Sequence, residues 1–140
     1  MKVKPRVVFD TNIFISSIIF GGNPRQCLEL ARENEIELYI SRAILLELSE
    51  KLEEKFLWQS KDTKEVIEGI LMFASLVSPK KKINHIKENP KDNMILECAV
   101  EAKADFLISG DKKHLLALKT FKNIKIISAK QFLDIFFQAD

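Results

Sequence analysis

Cysteine and histidine are scarce in this 140-residue chain, with two of each. Cys27 and Cys98 fall in helical contexts and share no metal-binding spacing, which argues against a zinc site or a disulfide framework and for buried thiols. His85 and His114 are paired neither with cysteines nor with each other, so they suit surface or interface positions. Long apolar runs are missing too. The longest fall well short of the ~20 residues a membrane span needs. The opening Met-Lys-Val-Lys-Pro-Arg is basic but leads straight into a strand rather than into a signal-peptide core, and this places the protein in the cytoplasm. Nor is there a large excess of either charge: 22 Lys and Arg against 20 Asp and Glu leave a formal +2. Basic clusters do occur, at Lys80-Lys81-Lys82, Lys112-Lys113 and Lys119, Lys122 and Lys125. Such patches can attract nucleic acid, though runs of this size are usually solvated faces.

What is present is an ordinary globular composition, 46% hydrophobic and 30% charged, on a chain long enough for one domain with a real core. Val7-Val8-Phe9 is a short apolar run that suits a buried strand, and it ends abruptly in Asp10-Thr11-Asn12, where Thr11 or Asn12 is fit to open a helix. The pattern then predicts a short helix over 12–20, stopped at Gly21-Gly22. A second helix restarts at Asn23-Pro24, with Pro at its first position, and carries Cys27, Leu28, Leu30 and Ala31. A strand over 37–40 follows. Ser41 caps a helix running to about Lys55, whose apolar stripe is Ile44, Leu45, Leu48 and Leu52. Residues 58–63 read as a polar break, 64–74 as a helix, 76–78 as a brief strand, and 80–91 as a loop closed by Pro90. Asp92 opens a helix with Ile95, Leu96, Ala99 and Ala102 on its apolar face. A strand over 106–109, a short helix over 113–118, a strand over 124–127 and a helix over 129–137 complete the chain. Strands alternating with helices predict a parallel sheet covered on both faces, as one α/β domain.

Four acids stand out against this frame. Asp10 ends the first strand and Asp111 follows the fourth by two residues. Ligands of open parallel sheets sit at the carboxyl ends of strands, so the two can converge if their strands are neighbours. Asp92, at the start of the helix feeding the fourth strand, is favoured by the free N–H groups and the helix dipole; helix capping explains it equally well. Glu47 lies about 60° from Ile44, on the border of the apolar stripe. Glu54 has a similar angle but lies ~10 Å further along the helix, so angle alone does not separate them. Bare carboxylates crowded together repel and partly protonate. A hard divalent ion removes the conflict, and a carboxylate set without a Cys or His pattern points to Mg²⁺ or Mn²⁺. Phosphodiester hydrolysis is the chemistry such a site suits.

Phe9-Asp10-Thr11-Asn12, Glu47, Pro90-Lys91-Asp92-Asn93 with Leu96 and Ala99, and Ser109-Gly110-Asp111, taken as an ordered set, resemble the PIN-domain signature across nearly the whole chain. The resemblance implies a three-layer α/β/α fold on a five-stranded parallel sheet of order 3-2-1-4-5, with the first and fourth strands adjacent. It implies an Mg²⁺- or Mn²⁺-dependent endoribonuclease, with Asp10, Glu47, Asp92 and Asp111 as catalytic and metal-binding acids and Thr11, Asn12 and Ser109 supporting them by hydrogen bonds. Asp10, Asp92 and Asp111 would hold the principal ion, Glu47 a second ion or the attacking water, and Lys112 or Lys113 a substrate phosphate. The wording of the motifs is similar to the prokaryotic toxin–antitoxin group (VapC-like), which implies RNA as substrate, a cognate antitoxin that can occlude the cleft, a homodimer or higher homo-oligomer, and no membrane association. Relatives often carry a further acid just before Asp92, and here that place is Lys91. The competing expectation is a non-catalytic module that uses the same fold for RNA binding or dimerisation. A phosphoacceptor domain fits worse. The haloacid-dehalogenase type wants an acid where Asn12 stands, and a receiver wants one ending the third strand, where Leu76-Val77-Ser78 offers none.

Overall fold

The computed structural model describes residues 3–138. Strand β1 (Arg6–Phe9) is the middle of the sheet, and Val7, Val8 and Phe9 are wholly buried. A strand flanked on both edges and both faces needs this continuous apolar run. On one side β1 pairs in parallel with β2 (Glu37–Ser41), and β2 with β3 (Ala74–Val77). On the other side it pairs in parallel with β4 (Phe106–Ile108), placing Val8 opposite Leu107, and β4 pairs with β6 (Ile124–Ile127). A two-residue strand β5 (Thr120–Phe121) runs antiparallel along β6. The order is β3-β2-β1-β4-β6-β5. The five parallel strands therefore stand in the expected 3-2-1-4-5 order, and the sheet has six strands rather than five. The addition is a hairpin: Lys122 and Asn123 both take positive φ, 48° and 70°, the backbone of a tight two-residue turn.

Helices α1 (Thr11–Ile19) and α2 (Gly22–Arg32) connect β1 to β2, and α3 (Arg42–Glu54) and α4 (Ser60–Leu71) connect β2 to β3. The chain then returns through a long loop and α5 (Asp92–Glu101) to β4, back beside β1. That reversal of direction between β1 and β4 is the switch point where open α/β sheets bind ligands. A short helix α6 (Leu115–Leu118) follows β4, and α7 (Ala129–Gln138) closes the chain, with Phe132 set edge-on against Phe106 of β4 at 5.3 Å. Among the described residues no helix is long and apolar enough to cross a membrane.

Several boundaries differ from the sequence pattern. The first helix opens at Thr11, because the Asp10 side chain accepts the Asn12 N–H and caps it. Gly21 and Gly22 take φ of 90° and 67°, so the break between α1 and α2 is a sharp corner and Pro24 is the third residue of α2, not its first. Helix α4 begins at Ser60, inside the presumed polar break, and ends at Leu71 because Ala74 already belongs to β3, pairing with Leu38. Helix α6 has four residues instead of six, since the turn before it is spent on Asp111. Cys27 and Cys98 are free and buried, and burial pushes both thiols up to about 12, as buried structural thiols should be.

Candidate functional site

The carboxyl ends of β1 and β4 are held together by backbone and side chain. The Asp10 N–H donates to the Ile108 carbonyl at 2.9 Å, continuing the β1–β4 ladder one residue past the strand. The Ser109 hydroxyl, fully buried, donates to Asp10 Oδ2 at 2.8 Å and accepts the Asp111 N–H at 3.0 Å. One serine thus links the acid after β1 to the acid after β4. The carboxylate of Asp111 in turn accepts the N–H groups of Lys113 and His114, both at 3.2 Å, and pins the turn that leads into α6.

Asp92 reaches the same place from the other direction. It is the first residue of α5, where a carboxylate is favoured. Its Oδ2 accepts the Asn89 amide at 3.0 Å. The loop before it is anchored by Asn93, which is buried and takes the N–H groups of His85 (3.2 Å) and Ile86 (2.8 Å) while donating to the Ile86 carbonyl at 2.8 Å. Glu47 projects from the middle of α3, its side chain 18% exposed, whereas Glu54 at the end of that helix is exposed. The pair that helical angle left undecided is separated by depth.

Asp10, Glu47, Asp92 and Asp111 line one cleft of about 530 Å³, together with Asn12, Lys51, Asn89, Lys91 and His114. Its electrostatics are those of crowded acids. Burial raises the pKa of Asp10, against the Ser109 and Asn12 hydrogen bonds, and the nearby Glu47 charge raises it further while Lys51 lowers it. Asp92 is pushed up to about 7 by burial, by a hydrogen bond shared with Asp111 and by the charges of Asp10 and Asp111. Asp111 feels burial too, but the N–H of His114 and the bond from Asp92 outweigh it and hold Asp111 below its ordinary value. Asp92 is accordingly the proton holder of the pair. Its carboxyl is the group a metal ion would have to deprotonate.

The supporting residues behave unequally. Ser109 acts as just described. Asn12 contributes its backbone N–H to Asp10 at 3.4 Å, while its side-chain oxygen faces Lys51. Thr11 does not support the acids: its hydroxyl is buried at the start of α1 and has no hydrogen-bond partner among the described residues. Lys112 and Lys113 are exposed and do not line the cleft. The cations that do are Lys51 and Lys91. Lys51 went unnoticed in the sequence, although it stands four residues after Glu47 and so on the same helix face. His114 also lines the cleft, its Nδ1 3.7 Å from Glu88 Oε2. His85 instead rests on the Phe121 ring at 5.0 Å.

As donors to a metal, these groups offer oxygen alone, which fits a hard divalent ion. Among the described residues no three acids, histidines or thiols are drawn together as a finished cage. Asp92 and Asp111 are in contact, and Asp10 feels the charge of Glu47 on one side while Asp92 feels that of Asp10 on the other. A pocket of this kind suits an ion that takes much of its shell from water and substrate phosphate.

Residues 6–113 match the family model of the PIN domain. The chain belongs to the PIN domain family. That span runs from β1 through the turn holding Asp111, so it contains all four acids. The uncharacterized protein MJ1680 of Methanocaldococcus jannaschii is 31% identical over 149 aligned positions, covering 96% of this chain and 94% of that protein. The fold of this PIN domain also resembles a chain in the crystal structure of VapBC2 from Rickettsia felis bound to a DNA fragment from their promoter. There the TM-score is 0.57 at 16% identity, over 86% of this chain and 96% of that one. At that identity the likeness speaks for the PIN fold alone.

Proposed function

We propose that this PIN domain is an Mg²⁺- or Mn²⁺-dependent endoribonuclease that hydrolyses RNA phosphodiester bonds. The observation that carries the reading is the meeting of Asp10, Glu47, Asp92 and Asp111 in one cleft at the β1–β4 switch point. Asp10, Asp92 and Asp111 would hold the ion, with Glu47 facing it across the cleft and placed to orient water. A bound ion would supply Lewis acidity, both activating water and offsetting charge as it builds on the phosphate oxygens. The chain's own part is positional. Ser109 fixes the Asp10 carboxylate, the turn into α6 fixes Asp111, and the Asn93-anchored loop delivers Asp92. Asp92 would lose its proton on metal binding and, with Asp111, become a paired ligand edge.

We further read the protein as the toxin half of a toxin–antitoxin pair, working as a homodimer or larger homo-oligomer; the motif wording and the VapBC2-like fold support this. The test is metal-titrated cleavage of a mixed RNA pool by wild type and Asp10→Asn. Cleavage that needs Mg²⁺ or Mn²⁺ and disappears in the variant supports the nuclease. Near-normal cleavage by Asp10→Asn defeats the assignment. RNA binding without cleavage in Mn²⁺, across several substrates, would favour the non-catalytic module.

A further inference from the structure

The acids of the cleft fall into two halves. Asp92 and Asp111 touch each other on one side, tied to Asp10 through Ser109. On the other side stands Glu47, and it already has a cation. Lys51 Nζ lies 4.0 Å from Glu47 Oε2 and donates to Asn12 Oδ1 at 3.0 Å.

An exposed i,i+4 ion pair on a helix does little by itself. This one is different in its second contact. Asn12 belongs to α1, 39 residues away in sequence, and its own N–H caps onto Asp10. The ammonium is therefore held across the mouth of the cleft rather than left swinging on its stem, and its side chain is 35% exposed, so one face is open. An ammonium group has three donors; Asn12 Oδ1 takes one, while Glu47, at 4.0 Å, attracts the charge without taking a hydrogen bond.

Charge shows what the remaining donors are for. Four carboxylates face a substrate whose every linkage is anionic. A single divalent ion offsets two of those four charges. A phosphate reaching the Glu47 side would still meet net negative charge unless a fixed cation stood there, and Lys51 is the cation that does.

We propose that Lys51 supplies the fixed positive charge on the Glu47 side of the cleft. It grips a non-bridging phosphate oxygen of the RNA beside Glu47, so that one divalent ion, on the Asp10–Asp92–Asp111 side, suffices. This deepens the nuclease reading and rests on it. A second ion at Glu47 would have to displace a lysine held from two elements.

The experiment uses the full chain as wild type, Lys51→Met, Lys51→Arg and Asp10→Asn, with Mn²⁺ calorimetry and equilibrium binding of a short single-stranded RNA. The RNA is bound in Ca²⁺ at low temperature over a NaCl series, and its integrity is checked on a gel. Wild type binds one Mn²⁺. Lys51→Met still binds one Mn²⁺, at equal or tighter affinity. It binds RNA roughly 5–10-fold more weakly, with a salt slope shallower by about 0.7, the share of one lost phosphate contact on a single strand. Lys51→Arg regains most of the RNA affinity. Two Mn²⁺ ions per wild-type chain, or wild-type RNA affinity and salt slope in Lys51→Met, would overturn the proposal. The Asp10→Asn arm separates the two levels. If it binds Mn²⁺ like wild type, the nuclease reading falls; if it loses Mn²⁺ while Lys51→Met binds RNA normally, only the role of Lys51 falls.

Discussion

Replacing Ser109 by alanine removes one buried hydroxyl and two hydrogen bonds, one to the Asp10 carboxylate at 2.8 Å and one from the Asp111 N–H at 3.0 Å. A bond to a charged group contributes about 1.5–3 kcal/mol and a neutral one about 1 kcal/mol. The Asp111 backbone lies near the surface and can find water, so most of the loss comes from Asp10. The expected destabilisation is about 2–3 kcal/mol at pH 8.5, or roughly 6–10 °C in Tm for a chain of this size. The effect also has a pH signature. The Ser109 bond favours ionised Asp10, whose pKa burial has raised. Losing the bond therefore costs more at high pH, where Asp10 is more ionised, than at low pH, where it is more protonated. Urea unfolding in EDTA of wild type, Ser109→Ala, Asp10→Asn and the double variant forms a cycle. A coupling of about 1 kcal/mol at pH 8.5, shrinking at pH 5, is expected. A coupling below about 0.3 kcal/mol at both pH values would refute the idea that the serine acts through the Asp10 charge.

Other outcomes follow from the same geometry. Asp92 carries a folded-state pKa of about 7 against an ordinary 3.8, so folding favours its protonated form, and metal-free stability should fall as pH rises from about 4 to 7; melting in EDTA across that window checks the sign. For the same reason apparent Mn²⁺ affinity should climb with pH up to about 7 and flatten above it, with proton release seen by calorimetry in buffers of different ionisation enthalpy. Asp10→Asn should lower metal-dependent cleavage at least ~100-fold. It should melt no lower than wild type in EDTA, since a buried charge beside Glu47 is gone. It should also lack the stabilisation of about 2.7 kcal/mol that Mn²⁺ at 100 times its Kd gives wild type. Asn93→Ala should cost about 2–3 kcal/mol and speed amide exchange at His85 and Ile86, because Asn93 ties both to α5; unchanged exchange there would contradict its anchoring role.

The parts of this fold that were legible in the sequence are those where one physical preference acts alone. Val7-Val8-Phe9 suits a buried strand and is one, and the Leu48 and Leu52 stripe faces the core. The ends of α4 were misjudged because local pattern and sheet pairing compete there, and pairing of Ala74 with Leu38 overrides the helical periodicity of 64–74. The edge strand β5 was missed because two residues carry no periodicity; Lys122-Asn123, a turn pair, was the available sign. At the site, position at strand ends singled out Asp10 and Asp111. Lys112 and Lys113 follow Asp111 directly in sequence, yet the turn that Asp111 caps leaves both outside the cleft. Lys51 belongs to the cleft through helical spacing, four residues after Glu47 on the same face. Motif groups Thr11 with its neighbours, but its hydroxyl is buried without a hydrogen-bond partner among the described residues.

The bond from Ser109 to Asp10 joins residues 99 apart in the chain. A ribosome making this protein must pass β4 before the partner of Asp10 exists, and Asp111 comes later still. Until β4 slides in beside β1 there is one strand-end acid and nothing opposite it. Any nascent fragment short of that point carries half a cleft, so the strand order itself delays the meeting of the acids until β4 has been made.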